Sequence, residues 1–391
     1  MAESHHMSIA PRIILLLGAA RGFDRGILSG IARYASLHGP WTFYREPHAY
    51  FVPSGRTGIE ELKAWKPDGI VCPARRFELT KLLRVPIVSL DINDYEGRIP
   101  GVISEDERAG QLAAEHLLSL GLEQFAFCGF GAMRWSKVRE KAFCEAITGA
   151  GRQVFIYRSS RHKPAPWAKE EMLVRQWLTQ LPKPIGLFCA NDDRSANILE
   201  SCRALGYGVP EDIAVLGVDD DEYICELANP PLSSVAMASD LAGYEVAKLL
   251  HKLILREAKM EGQRILASAV GVTARQSTDI LMVRDADVRT ALQFIRENVT
   301  RPIQVRDIVR ATNLSHRTLN DRFYRDCGTS ILRQLTVSRI NHISRLLRET
   351  SLSVGEIARM VGFDTDRHFA RYFRRATDMT PQEYRRKHAP P

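Results

Sequence analysis

The chain has 391 residues, with 45% hydrophobic and 26% charged side chains, a globular balance that removes disorder as the default. No apolar run approaches the ~20 residues of a membrane span, and seven scattered Cys without a CxxC pair argue against a disulfide frame or zinc site and for a reducing compartment. The formal charge of +8 is uneven: residues 281–391 hold 21 basic side chains (20 of them Arg) and 12 acidic ones, whereas the first 280 residues hold 33 and 34. A near-neutral front and a basic back suggest two tasks, one of them at a polyanion.

Residues 1–10 read as a disordered start or a cloning remnant, and their two His are given no metal role. The run Ile13–Ala20 could mimic a secretory h-region, but Gly18 interrupts it and Arg21 follows at once. It reads as a buried strand over residues 12–17, followed by an amphipathic helix over 25–37. Strands are then expected at 69–72, 86–90, 124–129, 154–157, 185–190 and 214–217. Helices are expected at 109–120, 138–149, 172–179, 195–205 and 238–255. Strands alternating with such helices imply βαβ units and parallel sheets. These sheets bind ligands at the carboxyl ends of their strands.

Six successive strand ends share unusual chemistry. They carry Phe23, Asp24 and Arg25; Arg75 and Arg76; Asp91 and Asp94; Met133, Arg134, Trp135 and Arg139; Asn191, Asp192, Asp193 and Arg194; and Asp219, Asp220, Asp221 and Glu222. Planar donors and acceptors beside aromatic faces suit a polyhydroxylated ligand. Any one of these residues could equally be a helix N-cap or a solvated loop charge.

The segment Val102–Gly110, followed by Ala113–His116 and Gly121, resembles LacI-type sugar-sensing regulators and periplasmic sugar-binding proteins. So do Ala190-Asn-Asp192 and the run from Gly208 through Gly217-Val-Asp-Asp220 to Pro230–Val235. The resemblance covers residues 11–275 and implies two α/β lobes with the effector in the cleft. It also implies that Arg139, Asn191 and Asp219 touch the sugar. The usual N-terminal DNA-binding helices of that family do not precede the first strand, so the DNA reader is expected elsewhere.

The basic tail contains a repeat. Residues 305–311 align with 354–360 at an offset of 49; Leu319 and Phe323 then pair with Phe369 and Phe373 at an offset of 50. Each copy reads as a helix, a tight turn at Asn313 or Gly362, and a second helix. This is the helix-turn-helix pattern, whose second helix enters the major groove. Between the copies, Ile331, Leu335, Ile340, Ile343 and Leu347 line one side of a linking helix. The outward candidates for base reading are Arg317, Asn320 and Asp321, then Arg367, His368 and Arg371. Arg suits guanine, Asn adenine and a carboxylate the cytosine amine. Arg322, Arg325, Arg374 and Arg375 are assigned to phosphate or solvent.

Arg339-Ile340, Glu356-Ile-Ala358, Val361-Gly-Phe363, Phe369, Phe373 and Thr380–Arg385 resemble the DNA-binding domain of AraC/XylS-type activators. A LacI-like sensor ahead of such a reader resembles the arrangement of xylose-operon regulators. Phe23–Arg25, Arg134-Trp135, Leu249–His251 and Arg264–Leu266 extend that likeness along the chain.

The expected architecture is an α/β two-lobed sensor over 11–275, a linker at 276–286 and an all-α domain over 287–391. The helix-turn-helix units fall at 304–325 and 353–375, with a linking helix at 329–349. The expected effector contacts are Phe23, Asp24, Arg25, Trp135, Arg139, Asn191, Asp192, Asp219 and Asp220. The function expected is a cytoplasmic DNA-binding activator controlled by a pentose such as xylose. Its partners would be operator DNA, a second copy of the chain and RNA polymerase, with no cofactor, metal or membrane. Two alternatives differ in class. An enzyme lacks any Walker, GxGxxG or GxSxG spacing. A front domain that only dimerises leaves the strand-end polar residues unexplained.

Overall fold

The computed structural model describes residues 10–45, 59–90, 99–159, 167–261, 263–280, 285–350, 352–363 and 365–388. Residues 1–9, Asp91 and Asp94 lie outside the described residues, as does the side chain of Arg75. The chain divides into two compact units, residues 1–279 and 280–391.

In chain order the first unit opens with β1 (Arg12–Leu15), α1 (Gly22–His38), β2 (Thr42–Arg45), α2 (Ile59–Ala64), β3 (Gly69–Pro73), α3 (Phe77–Lys81), β4 (Ile87–Leu90), β5 (Gly101–Ser104) and α4 (Asp106–Ser119). It continues with β6 (Phe125–Phe130), α5 (Arg134–Gly149), β7 (Val154–Ser159), α6 (Trp167–Gln180), β8 (Ile185–Cys189), α7 (Asp192–Leu205), β9 (Ile213–Asp219), α8 (Glu222–Leu227) and β10 (Ser233–Met237). A helix α9 (Ser239–Ile254) and strands β11 (Arg264–Ala267) and β12 (Ala269–Thr273) close it.

Two six-stranded sheets result, in the orders β11-β5-β4-β3-β1-β2 and β12-β10-β9-β8-β6-β7. Every pairing is parallel except β10 with β12. Central strands such as β8 are apolar and buried along their whole length, because helices cover both faces. In the first lobe α1 and α9 cross closely at two glycines. A Cβ on Gly30 would lie 2.0 Å from the Asp240 carbonyl, and one on Gly243 2.2 Å from that of Ile27.

The chain crosses between lobes three times, around Glu105, Ala238 and Ser268. The crossings are bonded together: Glu105 N donates to Ala267 O (3.0 Å), Ala238 N to Ser268 O (2.8 Å) and Ala269 N to Glu105 Oε2 (3.0 Å). This is a three-strand hinge with its own hydrogen bonds.

Two sequence expectations shift. Five strands were not anticipated: the edge strands β2, β11 and β12, which are short and paired on one side only, and the interior strands β5 and β10, which stand inside their sheets. The segment 276–278, expected to begin the linker, is docked on the second lobe. Ser277 Oγ donates to Val215 O (2.6 Å), and Thr278 Oγ1 bonds Ser233 Oγ (2.7 Å).

The regular elements of the second unit, among its described residues, are all helices. They are α10 (Ala286–Asn298), α11 (Val305–Arg310), α12 (His316–Cys327), α13 (Ile331–Glu349), α14 (Val354–Met360), α15 (Asp366–Thr377) and α16 (Pro381–His388). Helices α11–α12 and α14–α15 are the two repeat copies, and α13 joins them. Leu319 and Phe323 fill one small core, Phe369 and Phe373 the other, all fully buried. Capping boxes start α11 at Gln304 and α14 at Ser353. Gly362 takes the left-handed conformation that its turn requires (φ 82°), whereas Asn313 does not. Helices α10 and α16 were not foreseen as elements, nor were the short α2, α3 and α8 of the first unit.

Candidate effector cleft and DNA-reading helices

The carboxyl ends of both sheets face a cavity of about 390 Å³. The first lobe lines it with Gly18, Phe23 and Asp24 after β1, Pro73 at the end of β3 and Ala74 after it, and Ser104 at the end of β5. The second lobe contributes Met133, Trp135 and Arg139 after β6, Asn191 after β8 and Asp219 at the end of β9.

Arg139 organises the second-lobe wall. It is only 4% exposed, yet all its polar edges are engaged. Nε donates to Asp106 Oδ1 (2.8 Å), Nη1 donates to the Ala190 carbonyl (2.7 Å), and Nη2 lies 3.7 Å from Asp219 Oδ1. Its guanidinium stacks over Trp135, 5.0 Å from the ring centroid. The partner Asp106 opens α4 beside the hinge and also accepts a bond from Ser104 Oγ (2.8 Å).

Burial pushes the Asp219 carboxyl up to about 6; Arg139 pulls it down and Asp106 raises it further. Asp219 and Asp220 both have positive φ (109° and 50°). Such backbone strain in non-glycine residues is costly and clusters at ligand sites. Asn191 both lines the cavity and caps α7, its Oδ1 accepting from Arg194 N (3.1 Å).

Six of the nine sequence-derived effector residues therefore line one cavity: Phe23, Asp24, Trp135, Arg139, Asn191 and Asp219. Arg25, Asp192 and Asp220 do not. Arg25 reaches across the cleft mouth from α1 to Asp221, bonds the carbonyls of Ala19 and Ala20, and stacks over Tyr223. Asp221 Oδ2 also accepts from Gly22 N (2.7 Å), so this aspartate ties the first lobe to the second while capping α8.

Asp192 lies beneath the wall, 1% exposed, accepting from Ser234 Oγ (2.6 Å) and Asp221 N (2.8 Å). Burial drives its carboxyl well above the usual range. Asp220 turns to Thr273 Oγ1 and Arg275 Nη1, both at 2.7 Å. Sequence reasoning could not separate these from true lining residues, because adjacent strand-end residues point opposite ways. It also missed Ser104 and the latch role of Asp221, and it named Met133 at a strand end without counting it among the effector contacts. The acidic run Asp219–Glu222 was the available signal for the latch.

In the second unit, Ser315 and Thr365 cap α12 and α15. The caps place Arg317 and Arg367 in the first turns, with Asp321 and Arg371 one turn later. Arg317, Asp321, Arg367, His368 and Arg371 are exposed, and Asn320 is half-buried. The His368 ring stands edge-on to Phe363, centroids 5.3 Å apart. Tyr324, 63% exposed, was not singled out and follows Asp321 along the same face of α12. Arg322 is not a free phosphate contact: Nη1 bonds Asp285 (3.0 Å) and Asp287 (3.4 Å).

Residues 114–278 match the periplasmic binding protein-like domain family, and residues 308–387 match a helix-turn-helix domain family. The xylose operon regulatory protein of Escherichia coli strain K12 is 30% identical over 385 residues, covering 96% of each chain. That of Haemophilus influenzae is 28% identical and covers 96% of this chain and 98% of the relative. The chain belongs to the xylose operon regulatory protein family. A solved xylose-binding transcription activator superposes with a TM-score of 0.83 at 28% identity, covering 98% of this chain and all of that one. A cellobiose-complexed transcriptional regulator shares the fold of the sensor alone, with a TM-score of 0.56 at 24% identity over 68% of this chain. A xylose operon regulator of this kind is a DNA-binding transcription regulator with an α/β sensor ahead of a duplicated helix-turn-helix reader. Among the described residues no helix is long and apolar enough to cross a membrane.

Proposed function

We propose that the effector is a neutral pentose, xylose first, held in the cleft between the lobes, and that the protein is a cytoplasmic activator rather than an enzyme. The observation that carries this reading is the Arg139–Asp219–Asn191 wall standing opposite Asp24 and beside the Trp135 and Phe23 rings. The two carboxylates accept hydroxyl protons, Arg139 and Asn191 donate, and the rings cover the C–H face of the sugar. Binding across a hinged cleft favours the closed state by the differential affinity of the sugar for it. The names of the similar regulators support xylose as the first sugar to test.

The active species is a homodimer that presents four helix-turn-helix units to an operator and contacts RNA polymerase. Arg317, Asn320 and Asp321 read one groove segment, and Arg367, His368 and Arg371 the next, without cofactor or metal. Calorimetry on the full chain tests the sugar reading with D-xylose, L-arabinose, D-ribose, D-glucose and a pentose phosphate. Saturable xylose binding that is lost in Asp219→Asn is the expected outcome. No heat with any neutral sugar would overturn it.

A further inference from the structure

The first reading helix carries its arginines differently from the second. Helix α12 holds three Arg against two Asp, whereas α15 holds four Arg against one Asp. On α15, Arg374 and Arg375 are exposed, and neither forms an ion pair among the described residues. On α12, by contrast, the arginines of the last two turns are occupied.

Arg322 Nη1 bonds Asp285 Oδ2 (3.0 Å) and Asp287 Oδ2 (3.4 Å). Arg325 Nη2 lies 3.7 Å from the same Asp285 oxygen, and its Nε bonds Asp326 Oδ1 (3.2 Å). The clamp is closed from the other side too, because Asp285 N donates to Asp326 Oδ2 (3.0 Å). Asp285 is 13% exposed, and its Oδ1 caps α10 through Asp287 N and Val288 N. One carboxylate therefore starts α10 with one oxygen and neutralises the first reading helix with the other. Asp285 is also the sixth residue after Asp279, where the sensor unit ends.

We infer that Asp285 is a positioning residue that sets DNA affinity by occupying Arg322 and Arg325 as a phosphate would. Its carboxylate stands where a backbone phosphate would bind, so the second helix-turn-helix anchors the protein and the first engages phosphate only when the clamp is released. The inference rests on the assignment of α12 and α15 as DNA-contacting helices.

The test uses the full chain and a 40-base-pair duplex of random sequence, by fluorescence anisotropy across a potassium chloride series. Asp285→Asn and Asp285→Ser both keep an N-capping side chain while removing the charge. Both variants are expected to bind about two- to fivefold tighter, the equivalent of one partly exposed ion pair. The slope of log affinity against log salt should steepen by roughly one to two as one or two further phosphates are contacted. Both changes should vanish in an Arg322→Gln/Arg325→Gln background. Unchanged or weaker binding by folded Asp285 variants overturns the inference, and so does a gain that persists in the double-Gln background. If the wild-type chain itself shows no salt-dependent binding, the assignment of the reading helices falls as well.

Discussion

Replacing Asp219 by the isosteric Asn separates what this residue does for binding from what it does for stability. Its carboxyl is raised to about 6 from 3.8 in the unfolded chain, chiefly by burial. Above pH 6 it is ionised in both states, and the native state carries an unfavourable term of about 3 kcal/mol. As pH falls through 6 the native state takes up the proton and the term shrinks; below 3.8 it is gone. That figure already includes the attraction of Arg139, which keeps Asp106 and the Ala190 carbonyl as partners when Asp219 is neutral.

Asp219→Asn is therefore expected to stabilise the sensor by up to about 3 kcal/mol at pH 7.5, with the gain fading by pH 4. Over the same substitution, sugar affinity should be lost. In the wild type, affinity should weaken as pH falls through about 6. Urea unfolding followed by tryptophan fluorescence isolates the sensor, since Trp41, Trp65, Trp135, Trp167 and Trp177 all precede residue 280. A variant that is less stable at pH 7.5, or equally stable with unchanged sugar affinity, would refute the reasoning. By contrast, Arg139→Ala removes the cation that faces two buried carboxylates, Asp106 and Asp219, and should destabilise the lobe by about 3–5 kcal/mol, which makes it the poorer probe of binding.

Further expectations concern the latch and the reader. Arg25→Met removes a charge-assisted bond across the cleft mouth without touching the cavity, so calorimetry should show sugar affinity falling about tenfold; unchanged affinity would mean that the Asp221 contact does not favour the sugar-bound state. Arg367→Ala should relax base preference at one operator position in a binding-site selection, whereas Arg374→Ala should weaken all sequences alike and lower the salt slope by about one. Gly362→Ala should lower the melting temperature of the reader and weaken DNA binding. Its Cβ would lie 2.1 Å from Pro302 Cβ, at a φ that alanine adopts only with strain of more than about 1 kcal/mol.

Much of this molecule is legible in its residues. The alternation of short apolar strands with helices specifies parallel sheets, since only strands covered on both faces can be apolar along their whole length. The offset of 49 to 50 residues in the tail specifies a duplicated unit, because Leu319 and Phe323 must fill the same place in one copy that Phe369 and Phe373 fill in the other. The basic tail likewise marks the part that meets DNA.

Chain order could not sort the acidic strand ends. Asp219, Asp220 and Asp221 are consecutive, yet one faces the cavity, one holds Arg275 and one latches the opposite lobe. Their directions depend on the positive φ of Asp219 and Asp220 and on partners 199 residues away, such as Gly22. The same holds for Arg322 and Arg325, which read as phosphate or solvent contacts until the start of α10 places Asp285 against them.

Local periodicity and composition determined the α/β alternation, the repeat and the division of charge, because burial follows the spacing of apolar residues along an element. Only the tertiary structure decided which polar groups meet a ligand and which meet each other. That choice depends on distances between segments remote in sequence, and electrostatic and hydrogen-bond energies fall away within a few ångströms.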